Sequence, residues 1–364
     1  MTDKQIYNLF SIQRDATIAV RDHAVVFLNA PASQRFPGLT VGDAANQILP
    51  PAVLEMEEDN ISAVVTIEEK SYTILGARVG DMTVYTFIPQ EQEIDPGERQ
   101  LLERVSGTMR RTLTVLNMAT ELLMPMAEQI TAPRQRESLT VINKTYFQLQ
   151  RLCDNLDYFH RFSEGQARLF SDELDFVRFC RDLIQSVDHF AKRISHRVHF
   201  QTELSHLRTV IDRQKMTKLI LNLASNSLKH LKPNGSLTVS LAKQGEDAIL
   251  TVRDTGVGIE PSHIAEVFAQ YKTERSDTDI DAGAGLGLHI AQEIARLHGG
   301  TLLVSSVDGR GTAVRLRLPL ISAEDSGVLQ EESIPYRESD GGMRFILTEL
   351  SDVLDDGAFD GHYY

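Results

Sequence analysis

The chain has 364 residues, 42% of them apolar and 24% charged, a balance that excludes a disordered polymer and allows two or three globular domains. Its net charge of −14 excludes generic nucleic-acid binding, which needs a basic footprint. No apolar run approaches the roughly 18–20 residues that cross a bilayer, and Met1-Thr-Asp-Lys opens no secretory core. A cytoplasmic setting with no membrane partner is therefore expected.

In chain order, 16–21 and 24–28 alternate as strands about Asp22-His23 and read as a hairpin. The runs 62–67, 72–79 and 83–88 are β-rich and broken by Glu68-Glu-Lys70 and Gly80-Asp81, while 30–60 reads as helical or irregular. This order, with Asn29-Ala30 after the second strand and the glycine-bearing stretch 38–42, resembles a PAS sensor domain over residues 1–92. The segment holds no cysteine for a flavin adduct, and His23 reads as an exposed turn histidine rather than a haem ligand.

Asp95-Pro96-Gly-Glu98 has the form of a helix start: an N-cap acid, proline in the first turn and glutamate three residues on. The helix it opens runs to about Gln129, with Pro125 ending or kinking its last turn. A second helix runs from the break at 130–133 to about Phe162. Its seam is Leu139, Ile142, Tyr146, Leu149, Cys153, Leu156 and His160, a heptad pattern. Residues 95–163 thus form an antiparallel hairpin too apolar to stand alone. Two copies would close into a four-helix bundle, which implies a homodimer. The two cysteines, Cys153 and Cys180, lie in helical segments and read as buried thiols.

Four motifs follow within 167–320. Asn222 and Asn226 share a helix face over 217–231, with Lys229 and His230 one turn on. Asp254-Thr-Gly256-Val-Gly258 follows a strand at 248–253. Gly283-Ala-Gly285-Leu286-Gly287-Leu288 opens a helix over 286–298, where exposed backbone N–H groups and the helix dipole favour a phosphate. Gly309-Arg-Gly311-Thr312 precedes a strand at 313–318. In this order they resemble the N, G1, G2 and G3 boxes of the GHKL ATPases, in particular the catalytic domain of two-component sensor histidine kinases.

That resemblance implies an α+β multidomain protein: a PAS-like α/β sensor, an antiparallel helical hairpin forming a dimeric four-helix bundle, and a GHKL α/β sandwich. It implies ATP and Mg²⁺ as cofactors. Asn226 would be the metal ligand and Lys229 a phosphate contact, and Asp254 would accept from the adenine amino group. Gly283, Gly285 and Gly287 would cradle phosphates, the polar stretch 271–282 would be the lid, and Thr312 would support Asp254 through a water.

The same resemblance exposes a gap. The chain reads Ser106-Gly107-Thr108-Met109-Arg110-Arg111-Thr112-Leu113 where the family reads Ser-His-Glu-Leu-Arg-Thr-Pro-Leu. Gly107 therefore stands at the phosphoacceptor histidine. Thr108 replaces the neighbouring acid, Arg111 the residue that orients water, and Thr112 the helix-kinking proline. Nearby threonines lack an activating base, and His160 sits far along the second helix. A protein that binds Mg·ATP without phosphorylating itself on the usual histidine is expected, a pseudokinase or scaffold whose partner is a response regulator or a heterodimeric kinase. Three alternatives stand beside it: a kinase acting in trans on a partner's histidine, a GHKL ATPase or serine/threonine kinase of anti-sigma-factor type, and an interaction module with a vestigial pocket.

The tail, 321–364, carries eleven acidic residues against two arginines. Residues 321–341 read as disordered. Residues 343–356 have helical apolar spacing, fitting either a partner's groove or a fold-back onto this chain.

Overall fold

The computed structural model describes residues 7, 10, 11, 13, 15–54, 60–67, 70–89, 96–127, 133–259, 286–307, 309–322 and 341–360. Strands β1 (Ala16–Arg21) and β2 (Ala24–Leu28) form the expected hairpin. Its two-residue turn places Asp22 (φ 50°) and His23 (φ 62°) in the left-handed region that tight hairpins require. Asn29 closes the next junction. Its Oδ1 accepts from the N–H groups of Thr17 and Ala32, both at 2.9 Å, tying helix α1 (Ala30–Arg35) to β1. After the short helix α2 (Pro51–Leu54), strands β3 (Asn60–Ile67), β4 (Lys70–Val79) and β5 (Met82–Pro89) follow as a meander. Ile18, Val25, Leu49, Ile74 and Phe87 fill the core beneath them.

Helix α3 (Pro96–Ala127) runs through Pro125 and ends two residues later. Helix α4 (Pro133–Ser163) returns against it. Arg110 bridges the pair, 3.6 Å from both Asp154 and Asp157. The seam differs from the heptad expectation. Tyr146 and Cys153 are buried, but Ile142 is 46% exposed and His160 is half-buried. The buried positions Asn143, Phe147, Arg151 and Asn155 form a second face, because α4 packs on the tail and the following module as well as on α3.

Beyond the hairpin, β6 (Asp172–Asp175) pairs with β8 (Arg208–Ile211). Helices α5 (Phe176–Ala191), α6 (Arg213–Lys229) and α7 (Leu286–Leu297) belong to the core that also takes in β7 (Arg197–Gln201), β9 (Ser236–Gln244), β10 (Asp247–Asp254), β11 (Thr301–Val307) and β12 (Gly311–Pro319). Ile220, Ile290, Val239, Leu250 and Leu316 are buried where helices meet sheet. Helix α6 starts a turn earlier than its sequence pattern indicated, because Asp212 caps it by accepting from Lys215 N–H at 3.0 Å.

One sheet crosses both modules. Ser62 and Ala63 of β3 pair antiparallel with Val304 and Leu303 of β11, giving ten strands in the order β2-β1-β5-β4-β3-β11-β12-β10-β9-β7. Leu303 is buried in the first module's core.

Stretch 323–340 lies outside the described residues. Helix α8 (Gly341–Leu350) folds back onto the chain rather than outward, burying Ile346, Leu347, Leu350 and Leu354. Glu349 meets Lys218 of α6 at 2.5 Å, and both side chains are fully buried. Burial pulls the Lys218 ammonium below its usual range, and Glu349 works against that shift. Removing one partner of such a pair strands a buried charge at a cost of about 3–5 kcal/mol.

His298, at the end of α7, is buried and held at both ring nitrogens. Nε2 accepts from Asp212 N–H at 3.1 Å, and Nδ1 lies 2.8 Å from Ile294 O, so the proton sits on Nδ1. Burial lowers its pKa, so the folded chain keeps it neutral where the unfolded chain takes up a proton. Its contribution is complete above the unfolded value of about 6.5 and is lost as pH falls through the folded value. In urea titrations, the stability gap between wild type and His298→Gln is expected to narrow from pH 7.5 to pH 5. A gap independent of pH would contradict this reading.

Candidate nucleotide site

Strand β10 ends on Asp254, delivering its carboxylate to the edge of the sheet beside the last turns of α6. The group is 6% exposed and held by three donors. Oδ1 accepts from Gly256 N–H at 2.9 Å and Thr312 N–H at 3.1 Å, and Oδ2 accepts from Ser227 Oγ at 3.2 Å. Two glycines permit this close wiring. A Cβ at Gly256 would lie 2.5 Å from His230 O, and one at Gly311 (φ 105°) would lie 2.1 Å from Asp254 O. Val257 N–H donates to His230 O at 3.1 Å, tying the turn to the end of α6.

Thr312 lies at the start of β12 and reaches Asp254 through its own N–H, where the resemblance implied an intervening water. Its hydroxyl pairs instead with Ser306 Oγ at 2.9 Å, and Ser306 Oγ also accepts from Ile259 N–H at 2.8 Å. Ser227 and Ser306 were not singled out in the sequence. Ser227 carried a signal, since it directly follows Asn226; Ser306, in β11 between the third and fourth motifs, carried none.

Asn222 and Asn226 lie on α6 as expected but in different environments. Asn222 is fully buried, and neither its Oδ1 nor its Nδ2 finds a partner among the described residues. Asn226, Lys229 and His230 are exposed at the end of the helix. Leu286, Gly287 and Leu288 open α7 opposite them. A Cβ at Gly287 would come within 3.4 Å of Asn222 Oδ1. Gly258 adopts φ 76° in the turn after Asp254. The N, G1 and G3 residues and the start of α7 thus converge on one end of the sheet; Gly283, Gly285 and the expected lid lie outside the described residues.

The donor set suits a nucleotide. A buried, hydrogen-bonded carboxylate is an acceptor for an exocyclic amine, an exposed asparagine oxygen suits a cation that keeps most of its waters, and a helix N-terminus suits phosphate. Among the described residues the amide of Asn222, beside the start of α7, is a buried polar group with no partner.

This arrangement is that of an ATP-binding module of the GHKL type. Residues 211–322 match the histidine kinase-, DNA gyrase B- and HSP90-like ATPase family. Among curated proteins, the sensor histidine kinase WalK of Bacillus subtilis is 25% identical over 345 residues, covering 87% of this chain and 55% of WalK. The alginate biosynthesis sensor protein KinB of Pseudomonas aeruginosa is 27% identical over 253 residues, covering 67% and 41%. The chain thus spans about half the length of the relatives it matches. In fold, it is similar to full-length ShkA solved in complex with AMPPNP, with a TM-score of 0.51 at 23% identity over 62% of this chain and 46% of that one. Residues 211–322 therefore carry an ATPase domain of the histidine kinase-, DNA gyrase B- and HSP90-like family, in a chain similar over most of its length to a sensor histidine kinase.

Proposed function

We propose that the chain is a sensor histidine kinase-like signalling protein that binds Mg·ATP and does not phosphorylate itself at the usual position. The observation that carries this reading is the contrast between its two ends. Asp254 keeps three donors and a glycine-lined turn, while position 107 is an exposed glycine on α3 with no side chain to accept phosphate.

Asp254 would fix the base, and Thr312 and Ser227 would keep its carboxylate aimed. Asn226 would offer an oxygen to Mg²⁺, with Lys229 nearby for phosphate charge, and the start of α7 with Gly283, Gly285 and Gly287 would wrap the phosphates. Magnesium supplies the charge neutralisation that phosphoryl transfer needs. The strand order β2-β1-β5-β4-β3 supports a PAS-like sensor over 1–92. Among the described residues no helix is long and apolar enough to cross a membrane. The output would be conformational, read by a response regulator or by a kinase that pairs with this chain. Calorimetry tests the reading: nucleotide binding is expected with Mg²⁺ and is expected to weaken at least tenfold when the metal is chelated. Absence of binding under both conditions would end it.

The hairpin surface supports a homodimer. Val115, Met118 and Leu122 are 68%, 59% and 75% exposed at three- and four-residue steps along α3. A stripe of this kind is stable in water only when covered. Introducing Met118→Glu with Leu122→Glu is expected to shift the sedimentation of the chain from dimer to monomer. A monomeric wild type, or a double variant that stays dimeric, would contradict that assignment.

A further inference from the structure

The helix that carries Asn222 and Asn226 is gripped from behind. Lys218, one turn before Asn222 on α6, gives its ammonium to Glu349 of α8 at 2.5 Å and to Asn155 of α4 at 2.7 Å. Three parts of the chain that are far apart in sequence therefore meet on one buried nitrogen: hairpin, nucleotide-site helix and tail. The grip is extended on the hairpin side. Arg151 of α4 reaches Asp352 at 2.5 Å, Asn143 donates to Phe359 O at 2.8 Å, and Phe359 packs on Phe147 with ring centroids 5.4 Å apart.

We propose that residues 341–360 are an intramolecular clasp that locks the nucleotide-binding module to the helical hairpin through α6, and that detaches as a unit to uncouple them. A permanent structural helix in this place would need only its apolar face. Beside that apolar face, whose Leu347, Leu350 and Phe359 are buried in the main core, four ion pairs join the tail to the body: Lys218–Glu349, Arg151–Asp352, Lys144–Asp356 and Arg193–Asp355. Each places a tail acid on a base of the body, and such pairs fix geometry more than they add net stability, because desolvation offsets their attraction. The clasp reaches both helices of the hairpin, since Arg344 also bonds Asn117 of α3. Because α6 holds the clasp in its middle and the nucleotide site at its end, occupancy of one is linked to occupancy of the other. That last link rests on the nucleotide reading above; the mechanical clasp does not.

The test uses the full chain with a specific protease site placed within 323–340, folded first and cut afterwards. In the wild type the cut tail is expected to stay with the body through gel filtration at low salt. Glu349→Gln is expected to raise its dissociation at least tenfold. On release, amide exchange in α4 over 140–160 and in α6 is expected to speed at least tenfold, while β9 and β10 stay protected. The Kd for ATP with Mg²⁺ is expected to weaken about fivefold. Release that leaves α4 and α6 exchange unchanged would overturn the clasp, as would a tail that stays bound in Glu349→Gln. Loss of protection in β9 and β10 along with the rest would also overturn it, showing the tail to be part of the core. If the intact and cut chains both fail to bind ATP, the nucleotide reading fails, while the exchange result still decides the clasp.

Discussion

Replacing Asp254 by asparagine is expected to weaken ATP binding at least 100-fold and to leave the chain folded. The side chain keeps its shape, and its remaining oxygen still serves the N–H groups of Gly256 and Thr312, which lie 2.9 and 3.1 Å from Oδ1. What changes is the other half of the group, where the Oδ2 acceptor beside Ser227 Oγ becomes an NH₂ donor that, on the proposed function, would oppose the amino group of the base. A hundredfold loss corresponds to about 2.7 kcal/mol, the size of one charged hydrogen bond lost and one mismatched donor gained. Alanine would be the poorer test, because it strands two buried N–H groups and the Ser227 hydroxyl and so mixes folding with binding. Calorimetry on Asp254→Asn, with thermal unfolding as the control for folding, checks this. Affinity within threefold of wild type would place the base elsewhere.

The second large effect is a gain. Gly107→His combined with Thr108→Glu is expected to give the chain a covalent label from γ-labelled ATP where the wild type has none. Space is available: a Cβ at 107 meets nothing within 4 Å, and both positions are exposed on α3. Stability should rise slightly, since histidine in a helix interior is roughly 0.3–0.5 kcal/mol better than glycine. The label should be stable in base and labile in acid, and it should vanish when Asn226→Ala is added. A double variant that binds ATP yet stays unlabelled would show that the module is held out of reach of α3. Releasing the tail in that variant would then be the informative next step.

Much of this architecture was readable from local chemistry. The hairpin at 22–23, the two long helices, the asparagine motif and the three glycine-bearing motifs all depend on residues close in sequence, and the structure puts Asp254, Gly256 and Thr312 within hydrogen-bonding reach. What was illegible depends on partners far away. Nothing near Lys218 in sequence marks it as buried; its partner Glu349 lies 131 residues on. Ile142 reads as seam, yet it is exposed, while its neighbour Asn143 is buried and donates to Phe359 O. The crossing of β3 to β11 had no signal, since Ser62-Ala63 and Leu303-Val304 look like ordinary strand residues with any neighbour. The start of α6 was missed for a different reason: its polar first turn hides apolar periodicity, and only the Asp212 cap marks it.

The most direct measurement is phosphotransfer by the unaltered full chain. With γ-labelled ATP and Mg²⁺, at a nucleotide concentration that calorimetry shows to saturate the site, the account predicts bound nucleotide and no phosphate on any histidine. Acid-labile, base-stable phosphate retained on the chain after denaturation would contradict it.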